Sequence, residues 1–344
     1  MNDNITQSLL DDLVVQVTGK KNIFGAVMCV EKGDGSLSLV SGAGNLSFDT
    51  PYFIASVTKL YVTAILLKLR SQQKLRVEDK ISKYLSQEIL NGIHVLDGVD
   101  YSHEITIKHL LSNTSGIPDY FTSELVSELV DGKDQAWSFE KTLEAIKRKK
   151  PKFKPGQKGK AQYSDPNFRL LGKIIESITG QSIQAVFKAY IFDELQLAST
   201  YLFEDVSDKR PIQIFYKKRQ LHVPLYMSSI DSEGGIVSTA QESMVFLKAF
   251  FNGRLFPKKD LAELTSHWNL LFGPGLFYYG IGISRQPTTL FNLKKGLIGH
   301  WGQSGAFAFY HEDTDLYFTG TINQFTGHSV AVGMMMKLIK MMKH

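Results

Sequence analysis

Ser56 and Lys59 stand three residues apart in Ser56-Val57-Thr58-Lys59, directly after the apolar run Tyr52-Phe53-Ile54-Ala55. On a helix, residues at that spacing share a face, with Cβ atoms about 5–6 Å apart. A serine hydroxyl is a poor nucleophile until a base takes its proton. A lysine held that close can take it, provided burial and neighbouring cations keep the amine neutral. A hydroxyl at the start of a helix also sits near the positive end of the helix dipole. The chemistry these residue types suggest is covalent catalysis through an acyl-serine. A tetrad this short recurs by chance, and Ser71-Gln72-Gln73-Lys74 is a second copy. Setting separates the two. Ser71 lies in the charged stretch KLRSQQKLR, which reads as a solvated helix end, whereas Ser56 leads into the apolar LYVTAILLKL.

Such a site needs a second proton carrier and an oxyanion hole. Tyr163-Ser164-Asp165 follows the turn Pro155-Gly156 and precedes the helical pattern PNFRLLGKIIESITG, so Tyr163 is placed at a loop-to-helix junction. GHWGQSGAF, residues 299–307, is glycine-rich and leads into a strand, and glycines let a substrate approach the backbone closely. A rival reading takes Gly302-Gln303-Ser304-Gly305-Ala306 as a near match to the G-x-S-x-G nucleophile elbow. That fold needs an acid and a histidine on later strands, and only 40 residues follow Ser304. The nine histidines are scattered and form no H-E-x-x-H, and His311-Glu312-Asp313 reads as a solvated turn, so no metal site is expected.

The elements that must position these groups follow from periodicity. Residues 3–18 read as an amphipathic helix, and FGAVMCV and SLSLVSG as strands joined by Lys32-Gly33-Asp34-Gly35. From Ser56 to about residue 195 the pattern is mainly helical, with periodic segments at 57–70, 105–112, 139–148 and 166–179, the last stopped by Gly180. Short β-like pieces occupy 198–225, and SMVFLKAFFNG is a helix ending at Gly253. YYGIGIS, AFAFYHED and LYFTGTIN read as strands, and 328–343 as a closing Met-rich helix that packs on a core. Strands at both ends with helices between them predict an α+β architecture: an antiparallel sheet built from both termini. Residues 1–344 are expected to form a single catalytic unit, with a sheet part from 1–55 and 236–344 and a mostly helical part from 56–235.

Composition bounds the partners. With 344 residues the chain suits one large or two intimate domains. No apolar stretch is long enough to span a bilayer. The start MNDNITQSLLDDLVV lacks a basic region and a long apolar core, so it does not read as a signal peptide. A chain complete as it stands is expected in the cytoplasm, and one that has lost a leader outside it. The single cysteine, Cys29, lies in an apolar run and reads as a buried structural thiol. Residues 147–160 carry eight basic residues and no acid, read as a solvated loop, with steering of an anionic substrate as the functional alternative. Nucleic-acid binding is disfavoured, since no recognisable module surrounds that run.

Taken together, FIASVTKLYVTAILLKL, LRVEDKISKYL, ITIKHLLSNTSGIPDY, QYSDPNFRLLGKIIESITG, EGGIVSTAQE, YYGIGI and IGHWGQSGAF occur in an order that resembles the serine β-lactamase and penicillin-binding-protein superfamily. The resemblance is to its class C-like branch, with D-alanyl-D-alanine carboxypeptidases, D-aminopeptidases and family VIII carboxylesterases, and it runs from about residue 24 to 325. It implies a five-stranded antiparallel sheet flanked by helices, an inserted mostly helical region, and a site between them. It makes Ser56 the acylated nucleophile, Lys59 its activating amine and Tyr163 the partner in proton transfer. His300-Trp301-Gly302 matches the strand motif that is Lys-Thr-Gly in most β-lactamases, and the backbone N–H groups of Ser56 and Gln303 would form the oxyanion hole. The implied activity is hydrolysis of a carboxylic ester or a D-amino-acid peptide without a cofactor. The alternatives are a β-lactamase proper and a non-turnover penicillin sensor or scaffold.

Two departures from the family pattern matter. Tyr-x-Asn is here Tyr163-Ser164-Asp165, and an ionised aspartate only accepts hydrogen bonds where an asparagine amide also donates. A carboxylate near Lys59 would also favour its charged form. Second, an imidazole and an indole, His300 and Trp301, replace the ammonium and hydroxyl that serve a penicillin carboxylate, which argues against efficient β-lactamase action. Strand alternation puts His300 and Trp301 on opposite faces.

Overall fold

The computed structural model describes residues 5–272, 277–288 and 295–342. Strand β1 (Gly25–Lys32) pairs with β2 (Ser38–Gly44) as the hairpin its turn residues predict, with Cys29 opposite Val40. On its other edge β1 pairs antiparallel with β8 (Leu316–Thr321), the last strand of the chain, so the two ends of the sequence meet in one sheet. The sheet continues through β7 (Ala306–His311), β6 (Gly296–Trp301), β5 (Ser284–Pro287), β4 (Phe277–Tyr279) and β3 (Asn269–Phe272).

Among the described residues it therefore has eight strands, not five. The run YYGIGIS is not one strand. Gly282 takes φ +69° and Gly280 N–H donates to Ile283 O, so the chain folds back between β4 and β5. With β3, these short strands extend the edge beside the cleft described below.

Alternation along β1 assigns its two faces. Ala26, Met28 and Val30 join one core, with Phe307, Phe309, Leu316 and Phe318. Two helices cover that face. Helix α1 (Gln7–Thr18) buries Leu10, Leu13, Val14 and Val17, a one-faced 3–4 spacing, and Thr6 caps it by accepting from Leu9 N–H. Helix α5 (His328–Met341) buries Met334, Met335 and Leu338, so the Met-rich segment packs as a core helix. Residues 3, 4 and 343 of the two expected terminal helices lie outside the described residues.

Val27 and Cys29 face the opposite core, shared with α4 (Ala240–Asn252) and α2 (Thr58–Ser71). Helix α2 is buried on nearly every side from Thr58 to Leu67, as a helix apolar all round must be. Lys59 lies inside that run and is fully buried. Helix α3 (Asp165–Thr179) packs against α2 and ends where Gly180 adopts φ +67° and donates to Glu176 O, the left-handed stop that glycine accepts without steric cost. Among the described residues no helix is long and apolar enough to cross a membrane.

Candidate active site

Ser56 lies in a single 3₁₀ turn, Ala55–Val57, between the strand Tyr52–Phe53 and α2. Ala55 holds φ +46°, a left-handed conformation that is uncommon for a residue with a Cβ. Such local strain persists only where the surroundings over-determine it. Here they do. Gly302 follows β6, and a Cβ on it would lie 2.2 Å from Ile54 O, so only glycine lets the end of β6 pass so near the nucleophile segment. Ser304 Oγ donates to Phe53 O at 2.5 Å and is 3 % exposed. The serine of the near-match elbow is thus a structural tie that holds Ser56 in place from behind.

Lys59 Nζ sits 3.0 Å from Ser56 Oγ, 2.7 Å from Glu233 O and 2.7 Å from Asp165 Oδ1. Of the ammonium's three N–H donors, two are met by Ser56 Oγ and Glu233 O, and the Asp165 contact is an ion pair. Apart from the Lys59 contact, Asp165 Oδ1 has no hydrogen-bond partner among the described residues. Asp165 therefore points at the lysine rather than away from it. To abstract a proton from Ser56 the amine must be neutral, and it then loses the charge partner of this ion pair.

Glu233 is held from the far side. It lies in the helical turn Asp231–Gly234, packed between α2 and α3. Its carboxylate accepts from Tyr120 Oη and lies 3.5 Å from Arg169 Nη1, which also donates to Ser229 O at 2.6 Å. Burial pushes the Glu233 carboxyl up from its ordinary 4.5 to about 8; Arg169 opposes this and Asp165 adds to it. A raised carboxyl pKa means that the folded state prefers the protonated form. The stability this contributes is present below pH 4.5, the unfolded value, and is lost as pH rises through 8. Glutamine does not titrate. The melting temperature of the wild type is therefore expected to fall relative to Glu233→Gln between pH 4.5 and 8, and to run parallel to it above. The gap would be on the order of a few kcal/mol, readable by scanning calorimetry across that range. A difference constant with pH would contradict the assignment.

Tyr163 is fixed by Asn113, which is fully buried in a left-handed conformation, φ +57°. Asn113 O accepts from Gln162 N–H at 2.9 Å, and its Oδ1 accepts from Ser164 N–H at 3.1 Å, so the residues on both sides of Tyr163 are clamped. Burial pushes the Tyr163 phenol well above its ordinary value of 10.0; Asp165 adds to this, and a hydrogen bond with Ser56 opposes it. The group is a neutral phenol across the physiological range, fit to donate a proton. Lys59 Nζ lies 5.3 Å from its ring centroid.

His300 and Trp301 point to opposite sides of β6. Trp301 packs on Phe309 and His328, against the face covered by α5, and borders the cleft. His300 faces the nucleophile side with both ring nitrogens engaged. Nε2 lies 3.1 Å from Tyr279 Oη, and Nδ1 lies 2.6 Å from Trp301 O. Because a carbonyl only accepts, Nδ1 carries the proton and Nε2 accepts from the tyrosine. Burial, then Lys59, lowers its pKa to about 3, so the imidazole is neutral. Gln303 follows at the end of β6, its side-chain Nε2 donating to Phe325 O at 3.2 Å.

All eight residues singled out in the sequence converge here. Ser56, Tyr163, Asp165, His300, Trp301 and Gln303 line one cleft of about 520 Å³, with Lys59 buried beneath it and Gly302 against its floor. Two further lining residues, Asp119 and Glu233, escaped the sequence reading. Both lie in quoted motifs, GIPDY and EGGIVSTAQE; the available signal was an acid embedded among apolar and glycine residues. No residue of the basic run 147–160 lines the cleft, although the run touches its edge. Phe153 anchors it, Lys150 pairs with exposed Asp97, and Lys149 Nζ donates to Asp119 O at 2.8 Å.

Comparison with known proteins agrees with this fold. A "Putative D-alanyl-D-alanine carboxypeptidase" of Escherichia coli O157:H7 is 32% identical over 187 residues, 54% of this chain. The match spans 41% of that relative's own length. Among solved structures, the D-amino acid amidase of Ochrobactrum anthropi SV3 superposes with a TM-score of 0.81 at 19% identity, covering 97% of each chain. EstCE1, a hydrolase with promiscuous acyltransferase activity, gives 0.77 at 18% identity over 96% of this chain and 97% of that one. The Beta-lactamase family model matches residues 10–334, and the chain belongs to that family.

Proposed function

We propose that this protein is a serine hydrolase that forms an acyl-Ser56 intermediate on small carboxylic amides or esters. The observation that carries the reading is Lys59: fully buried in the first turn of α2, 3.0 Å from Ser56 Oγ in the 3₁₀ turn that leads into that helix. Lys59, once neutral, takes the Ser56 proton as the oxygen attacks the carbonyl carbon. The N–H groups of Ser56 and Gln303 receive the oxyanion. Tyr163, a neutral phenol beside Ser56, hands a proton to the leaving group. Water then deacylates the enzyme with help from Tyr163 or Lys59. His300 acts as a positioning residue, since both its nitrogens are occupied.

β-Lactams fit this cleft poorly. No lysine or arginine is among its described lining residues, and neutral His300 supplies no charge for a penicillin carboxylate. The acids in its described lining, Asp119, Asp165 and Glu233, offer such an anion no counter-charge. Sustained turnover of p-nitrophenyl butyrate is therefore expected, with nitrocefin hydrolysis at least about 100-fold slower in kcat/KM. A fluorophosphonate should leave one adduct, on the peptide containing Ser56. An adduct on Ser304 would overturn the assignment. One specific observation favours a second reading, a sensor that acylates without turnover: the Lys59–Asp165 pair at 2.7 Å. A single stoichiometric burst with no steady state would select it.

A further inference from the structure

The carbonyl of Gly302 and the N–H of Gln303 belong to one peptide unit. That unit is planar, so whatever fixes the carbonyl also fixes the direction of the N–H. Gly302 is held at both its backbone polar groups. Its N–H donates to Ala306 O at 2.8 Å. Its carbonyl accepts twice, from Gly305 N–H at 2.9 Å and from His328 Nε2 at 2.9 Å. Both lone pairs of the oxygen are thereby used. The N–H at the other end of the unit is different. Gln303 lines the cleft, and its N–H donates to no acceptor among the described residues. A free backbone donor at the cleft, in a peptide whose carbonyl is bonded twice, is arranged to receive an oxygen that enters.

We propose that His328 is a positioning residue of the oxyanion hole: its Nε2–H, donated to Gly302 O, aims the Gln303 N–H at the oxygen of the carbonyl that Ser56 attacks. This role rests on Ser56 being the nucleophile and Gln303 N–H an oxyanion donor. Because a carbonyl only accepts, the imidazole carries its proton on Nε2. Burial holds the ring below its ordinary value of 6.5 and the bond to Gly302 opposes this, so the ring is neutral near pH 7. The Gly305 bond closes a turn within the same loop. His328 opens α5, so its bond is the one that ties this peptide to another element. Trp301 holds the imidazole there, with ring centroids 5.3 Å apart. A donor fixed beforehand costs no reorganisation when charge develops on the substrate oxygen. Each hydrogen bond to a peptide carbonyl also polarises the unit and strengthens its N–H as a donor, by about 10–30%.

The test separates positioning from packing. His328→Phe keeps a ring against Trp301 and removes the donor, whereas His328→Gln returns an amide N–H close to the place of Nε2. Three quantities are measured on each: kcat/KM for p-nitrophenyl butyrate, inhibition by butylboronic acid, and inhibition by p-nitrophenyl butyl ether. The boronate forms a tetrahedral adduct on Ser56 with an oxygen in the hole; the ether has no carbonyl to place there. His328→Phe is expected to lose about 10–50-fold in kcat/KM, less than the roughly 10²–10³ lost with an oxyanion donor outright. Boronate affinity should fall by the same factor and ether affinity by less than about threefold. His328→Gln should recover most of both losses. An unchanged rate in His328→Phe, equal weakening of boronate and ether, or no recovery in His328→Gln overturns the role. If His328→Phe does not fold, the wild type decides. Nitrogen–proton correlation spectra near pH 7, with the His328 signals identified by their loss in His328→Gln, should place the ring proton on Nε2, and a proton on Nδ1 alone overturns the role. Full turnover by His328→Phe beside an inert Ser56→Ala would remove this role and leave the hydrolase reading standing. A wild type that neither turns over the ester nor takes a fluorophosphonate on Ser56 would remove both.

Discussion

Ser56→Ala is expected to lower kcat/KM for p-nitrophenyl butyrate by at least about ten-thousand-fold, because removing a nucleophile that acts as a unit with its base leaves only binding and oxyanion stabilisation. The fold should survive. Ser56 is half-buried, and loss of its Oγ leaves Lys59 Nζ with two acceptors, Glu233 O and Asp165 Oδ1. The 3₁₀ turn is set by Ala55, Gly302 and the Ser304–Phe53 tie, none of which uses the Ser56 hydroxyl. A melting temperature within a few degrees of wild type is the corresponding expectation. Ser71→Ala is the control. Ser71 Oγ bonds only to Lys68 O at an exposed helix end, and its loss should leave kcat/KM within about twofold. Residual turnover in Ser56→Ala within tenfold of wild type would place the nucleophile elsewhere.

The elements that place Ser56 were legible because they repeat a simple period. Apolar residues at 3–4 spacing announce α1 and α3, and Gly180 and Gly253 announce their own stops in left-handed conformations. The end strands of the sheet alternate, or run apolar because helices cover both faces. The missed strands are the short ones. Asn269–Phe272 and Ser284–Pro287 have four residues each, too few for alternation to stand out, and their pairing depends on a turn at Gly280–Gly282 that a run of apolar letters conceals.

The site divides in the same way. The spacing of Ser56 and Lys59 encodes their contact because both belong to one helical stretch. Asp165 was visible as a departure, but whether it turned toward Lys59 depends on where α3 packs against α2. Glu233 was less visible still. It reaches Lys59 with its backbone carbonyl, which no residue type announces, and its side chain is fixed by Tyr120 and Arg169 from distant segments. Spacing encodes contacts within an element, and packing decides those between elements.

Lys59→Met should cost about 10²–10⁴-fold in kcat/KM, the span typical of a positioned general base, while filling much of the lysine's buried volume. Because methionine offers no donor, Glu233 O and Asp165 Oδ1 lose their partner, and some stability should be lost as well. Asp165→Asn isolates the charge. In wild type a carboxylate 2.7 Å from Nζ favours the ammonium, the form that cannot accept the Ser56 proton. Asparagine keeps an oxygen of similar shape beside Nζ and removes the charge. Asp165→Asn is therefore expected to raise kcat/KM for an uncharged ester near neutral pH, by about tenfold for each 1.4 kcal/mol by which the ion pair had favoured the ammonium. The sign is fixed by electrostatics, since removing an anion disfavours the neighbouring cation. Raising the salt concentration should leave that gain nearly unchanged, because the pair is buried and poorly screened. The ester must be uncharged, so that its own charge contact with Asp165 does not enter the comparison. An unchanged rate would mean that the charge of Asp165 does not restrain Lys59, and a lower rate would rule out this ion pair as the brake on Ser56.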